Sequence, residues 1–238
     1  MSNPFSQSPS ASVAGNLDQA ERVSAFLTRV YGWMFVGLAI TAAVAYVVAG
    51  SPTLIQALLA NRILFWAVLL APLGFVWVLS AKIDSLSPGQ AAALFASYAA
   101  INGVTFAFIL LAYTQTSIAS TFLTSAGAFG GLALYGTVTK RNLEGVGQFA
   151  MMGLFGLLIA MLVGFFWHSD TLQFVISIVG VIVFTCLTAY RAQQLRAMAL
   201  ALPEDRVGSY AVVGALGLYL AFVNLFLFLL RFMGRSRN

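Results

Sequence analysis

Tyr210-Ala-Val-Val-Gly-Ala-Leu-Gly-Leu-Tyr-Leu-Ala-Phe-Val-Asn-Leu-Phe-Leu-Phe-Leu-Leu-Arg231 carries no charge before its final arginine. A helix rises about 1.5 Å per residue, so this run covers roughly 33 Å and can cross about 30 Å of hydrocarbon. Six earlier stretches pass the same test, approximately Tyr31–Ala49, Ile63–Ser80, Ala91–Ala112, Ile118–Val138, Gln148–Trp167 and Leu172–Tyr190. The third and fourth share one charge-free run, and the polar cluster Thr114-Gln115-Thr116-Ser117 divides it. The predicted fold class is therefore an all-α membrane protein, a bundle of seven transmembrane helices. Composition agrees: 61% of residues are hydrophobic and 8% charged, against about 25% charged in a soluble domain.

The net charge of +5 comes from basic residues scattered between apolar segments, so it predicts topology and not nucleic-acid binding. With the N-terminus in the cytoplasm, Arg22, Arg29, Lys82, Lys140, Arg141, Arg191, Arg196 and Arg206 are all cytoplasmic. Arg62 alone marks the intervening outer loops. Arg231, Arg235 and Arg237 then fall outside if the seventh segment crosses fully, or inside if it re-enters. Residues 1–20 are rich in Ser, Pro and Asn and read as a disordered, uncleaved cytoplasmic tail; residues 21–238 read as a single transmembrane domain. The lone Cys186 supports neither a disulfide framework nor a thiolate metal site.

Small residues let helix backbones approach in lipid. Gly127 with Gly131, Gly153 with Gly156, and Gly214 with Gly217 are therefore candidate packing positions. Every acidic residue lies outside the expected hydrocarbon, so no carboxylate is available at depth for a metal or a proton relay. Asn102 with Thr105, and Tyr219 with Asn224, are the candidates to line a polar interior or to hydrogen-bond between helices. No hydrolytic site is predicted. The only histidine, His168, sits at the membrane edge while Ser125 lies about 12 Å deep, and there is no HExxH segment, intramembrane aspartate pair or phosphate-binding loop. No catalytic residue, metal ligand or cofactor is assigned. Arg191, at the inner end of the sixth span, either snorkels to the interface or acts as an interior charge.

Gly217-Leu-Tyr-Leu-Ala-Phe-Val-Asn-Leu-Phe-Leu-Phe-Leu-Leu-Arg-Phe-Met-Gly234 resembles the terminal signature of the Bax inhibitor-1 family. Arg29-Val-Tyr-Gly-Trp-Met-Phe-Val-Gly-Leu resembles its first helix, and Thr188-Ala-Tyr-Arg-Ala-Gln-Gln the end of its sixth. The resemblance implies a fold whose last helix is surrounded by the other six. It also implies a role in calcium leak or, in bacteria, in modulating a membrane-bound ATP-dependent protease. In the calcium-conducting branch two aspartates share protons and close the pore; the matching positions here are Arg191 and Ala221. The expected function is thus a non-enzymatic, multi-pass modulator of the bacterial inner membrane that binds membrane proteins such as that protease. An ion leak lacking the di-aspartate gate is the alternative.

Overall fold

The computed structural model describes residues 9–82, 85–167 and 169–235. Asp84, His168 and Arg237 lie outside the described residues. The elements are α1 (Pro9–Ala49), α2 (Pro52–Ala60), α3 (Arg62–Ala81), α4 (Pro88–Ala112), α5 (Gln115–Val138), α6 (Glu144–Phe166), α7 (Asp170–Ala201) and α8 (Val207–Met233), with one 3-10 turn at Glu204–Arg206. All except α2 and that turn are long and apolar enough to cross a membrane, giving the seven spans expected. Helix α1 begins inside the stretch 1–20 that reads as a tail.

Local signals explain the boundaries. The polar cluster does divide the third and fourth spans: α4 ends at Ala112, and the Thr114 hydroxyl caps α5 by accepting from the Ser117 N–H at 3.3 Å. Helix α4 opens on a capping box, in which Ser87 and Gln90 exchange side-chain-to-backbone bonds and Pro88 takes the first helical position. Helix α7 is longer than its apolar core and continues past Tyr190 to Ala201. Helix α2, with its nine residues, was not expected; it has Pro52 in its first turn and packs between the ends of α1 and α3.

The share of buried residues rises from 6% in the apolar part of α3 to 67% in that of α8. Helix α8 packs on α1, α4, α5 and α7 and only lightly on α3, while α6 packs on α7. It is therefore the central helix. Tyr219, Leu218, Leu225 and Leu230 on it are completely buried. Outward-facing Phe35, Phe149, Phe155 and Leu162 are exposed, as a lipid-facing surface requires.

Close packing does not follow the expected glycine pairs throughout. A Cβ built on Gly127 or Gly131 meets nothing, and both face outward. The α5 contact face is instead Thr121, Ser125, Phe129, Ala133 and Gly136. At Gly136 the backbone comes directly against the Ala189 carbonyl of α7. At Gly103 of α4 an added Cβ would lie 2.8 Å from the Thr41 carbonyl oxygen of α1. Gly153 and Gly214 do face neighbouring helices; Gly156 and Gly217 face open space.

The seventh span is a complete crossing. Near its start the Ser209 hydroxyl donates to the Leu86 carbonyl at 2.9 Å, and Arg22 reaches the Leu202 carbonyl. At its other end Arg231 donates to the Gln173 side chain at 3.1 Å, and the Arg235 N–H donates to the Ser117 hydroxyl at 3.0 Å. Those partners sit at the opposite end of the bundle, at the α4–α5 and α6–α7 connections. Re-entry of the last segment is thereby ruled out, and Arg231 and Arg235 lie on the face opposite Arg22, Arg141 and Arg196. With the basic face in the cytoplasm, alkaline phosphatase fused after Asn238 is expected to be active and the same enzyme fused before Met1 inactive. The reverse pattern in whole cells would invert the topology.

Candidate functional site

Two separate polar features flank α8. Tyr219 and Ala221 are two residues apart, about 200° around the helix, so they face nearly opposite directions.

On one side the Asn102 side-chain amide of α4 donates to the Tyr219 hydroxyl at 2.8 Å, and that hydroxyl lies 2.7 Å from the Thr41 hydroxyl of α1. The Thr41 hydroxyl in turn reaches the Gly37 and Ala99 carbonyls, each at 3.0 Å. Carbonyls only accept, so the Thr41 proton points to them and the Tyr219 proton goes to Thr41. The chain of donors therefore runs one way, from Asn102 through Tyr219 and Thr41 to a backbone carbonyl. Phe95 and Tyr98 close the node with edge-to-face contacts to the Tyr219 ring, at centroid distances of 5.8 and 5.5 Å. Gly37 makes room for the Phe95 ring, which would be 2.5 Å from a Cβ there. The node joins α1, α4 and α8 around the fully buried Tyr219. The Thr105 hydroxyl, one turn from Asn102, is buried without a partner and takes no part in it.

On the other side lies a cleft of about 620 Å³. Its floor is α7 and α8, from Arg191 through Ala221 to Asn224, and its walls are α3, at Leu73 and Trp77, and α6. Leu73, Trp77 and Leu158 are exposed, so the cleft opens sideways toward lipid between α3 and α6. Asn224 donates to the Leu220 carbonyl of its own helix at 2.8 Å and leaves a mainly apolar surface. Arg191 is half-buried and donates to the Gln194 side chain at 3.1 Å. Among the described residues no carboxylate reaches it, and every described Asp and Glu is exposed.

The structure thus brings Arg191, Ala221 and Asn224 together in one cleft and Asn102 and Tyr219 together in one node. Ser125 is buried, and its hydroxyl donates to the Thr121 carbonyl within α5. Sequence reasoning missed Thr41, a lone hydroxyl in an apolar span. It also missed Gln193, whose side chain accepts from the Leu143 N–H at 2.8 Å and donates to the Arg141 carbonyl at 2.7 Å, clamping the α5–α6 connection onto α7. The polar run after Tyr190 was the available signal for Gln193. No signal marked Thr41.

The profile of a family described as Inhibitor of apoptosis-promoting Bax1 matches residues 23–238. The chain is 44% identical over 215 residues to the inner membrane protein YbhL of Escherichia coli (strain K12), covering 89% of this chain and 92% of that protein. It is 43% identical over 215 residues to an uncharacterized protein of Borreliella burgdorferi, covering 90% and 93%. An uncharacterized protein of Deinococcus radiodurans is 41% identical over 219 residues, covering 92% and 93%.

Proposed function

The chain belongs to the Bax inhibitor-1 family, and on that footing we propose that it is a non-enzymatic modulator in the inner membrane that binds other membrane proteins, an ATP-dependent membrane protease among them. One observation supports this over calcium conduction. The two positions that the resemblance assigns to pore acids, Arg191 and Ala221, line a single cleft, and that cleft holds an arginine and no described carboxylate. A divalent cation 6 Å from the guanidinium would be repelled by about 5 kcal/mol at an effective dielectric near 20. Calcium also needs six or more oxygen ligands, whereas the cleft walls are hydrocarbon and Asn224 offers a single amide oxygen.

The alternative is an ion leak that has lost its di-aspartate gate, lined by Asn102, Tyr219 and Asn224. Against it stand the full burial of Tyr219 and the separation of Asn224 from the other two by the body of α8. Calcium flux into proteoliposomes, measured at one pH on each side of neutrality, separates the readings. The natural chain is expected to match empty liposomes at both. A variant carrying Arg191→Asp and Ala221→Asp restores the paired acids and is expected to gain pH-dependent flux. Flux through the natural chain would sink the modulator reading. Crosslinking in native membranes tests the partner: recovery of no specific membrane protein, with unchanged turnover of membrane substrates after deletion, counts equally against it.

A further inference from the structure

The cleft between α3 and α6 has the dimensions, depth and charge of a lipid site. Its volume of about 620 Å³ is far below the roughly 2,400 Å³ of a transmembrane helix about 30 Å long and 10 Å across. A partner's helix therefore cannot lie wholly inside it, whereas part of a lipid chain can. Nineteen residues separate Leu172 from Arg191 on α7, a rise of roughly 28 Å, close to the full hydrocarbon thickness. Leu195 of α7 packs on Gly214 of α8, which sets Arg191 about one turn deeper, roughly 10 Å inside Tyr210; from there its long side chain reaches toward the headgroups of the basic face at one end of the cleft. Trp77, exposed and five residues before Lys82, stands near the basic-face end of α3 on the opposite wall, where aromatic rings favour the interface.

A guanidinium has five N–H donors in a planar fork suited to phosphate. Among the described residues that of Arg191 has one side-chain partner, Gln194. The floor beside it is open at Gly217, where an added Cβ meets nothing within 4 Å. From these observations we propose that the cleft binds one anionic phospholipid of the basic-face leaflet, with its phosphate on Arg191 and an acyl chain running along α8 past Gly217 and Ala221. Bulk lipid is as apolar as the cleft walls, so selection rests on the headgroup. Basic pockets between transmembrane helices hold anionic headgroups in this manner. The site stands whether or not the protein modulates a protease, because it depends only on α3, α6, α7 and α8.

The test is native mass spectrometry of the full chain released from vesicles of equal phosphatidylglycerol and phosphatidylcholine. The natural protein is expected to retain one phosphatidylglycerol with about tenfold preference, the value of one charge-assisted headgroup contact. Arg191→Gln is expected to erase the preference, and Arg191→Lys to keep part of it. Gly217→Phe leaves the arginine in place but fills the floor, and is expected to lower retention of phosphatidylglycerol to that of phosphatidylcholine. A snorkelling arginine without a site would be indifferent to Gly217→Phe, and that result overturns the proposal. Equal retention of both lipids by the natural protein overturns it as well. Inorganic phosphate alone is expected to leave the melting temperature unchanged; a stabilisation equal to that from phosphatidylglycerol would reassign the site to a soluble anion.

Discussion

Gly136→Leu is expected to prevent the bundle from assembling, while Gly127→Leu and Gly131→Leu on the same helix leave it close to the natural stability. At Gly136 the atoms in the way are backbone: the Ala189 carbonyl oxygen, its carbonyl carbon at 2.9 Å and its Cα at 3.0 Å. A flexible side chain could turn aside, but a helix backbone cannot, so α5 and α7 would have to part. Parting them also pulls the Thr137 carbonyl from Arg196, which donates to it at 2.9 Å. Helix α7 in turn supports both α6 and α8, so the disturbance reaches the centre. The expected loss is at least about 4 kcal/mol, in the tail reserved for steric conflict in a core. Size-exclusion profiles and thermal melts of the three variants in one detergent check this. A monodisperse Gly136→Leu protein with a near-natural melting temperature would contradict the close α5–α7 approach.

Tyr219→Ala is the second large effect, expected at about 3–5 kcal/mol for loss of a fully buried aromatic ring. The ring holds Phe95 and Tyr98 edge-on, and its hydroxyl is the middle link between Asn102 and Thr41. Tyr219→Phe keeps the ring and removes only that link. Hydrogen bonds between transmembrane helices average about 0.6 kcal/mol, so its expected cost is near 1 kcal/mol with Thr41 and Asn102 each losing a partner. A double-mutant cycle of Tyr219→Phe with Asn102→Ala isolates the bond. Denaturant titration of reconstituted protein gives these numbers. Equal losses for Tyr219→Ala and Tyr219→Phe would show that the ring contributes nothing, contrary to its packing.

The seven spans were legible because charge-free length is a coarse quantity that bilayer thickness fixes directly. Their ends were less so. Hydropathy falls after Tyr190, where Arg191, Gln193, Gln194 and Arg196 begin, yet the helix continues to Ala201 because those residues are good helix formers. Helix α2 is shorter than any span and gave no signal at that scale. Gly127 and Gly131 show why small-residue pairs mislead: a small side chain permits close approach but does not cause it, and here the approach happens at Gly136. Tyr219 and Asn102 were named from composition, but Thr41 lies 178 residues from its tyrosine partner and looks like any threonine in an apolar helix. The cleft was invisible in principle, since it arises from how far α3 stands away from α6.

Helix α8 is the hub of the bundle, and it emerges from the ribosome after the helices it holds together. The helices that precede it enter the bilayer with their hub-facing surfaces unmet, and the Thr41 and Asn102 side chains must wait for Tyr219. Assembly therefore closes with α8, and a ribosome that stalls before Val207 releases a ring without its axle. Such a product is a natural target for membrane quality control, so the order of synthesis itself checks that the hub has been made.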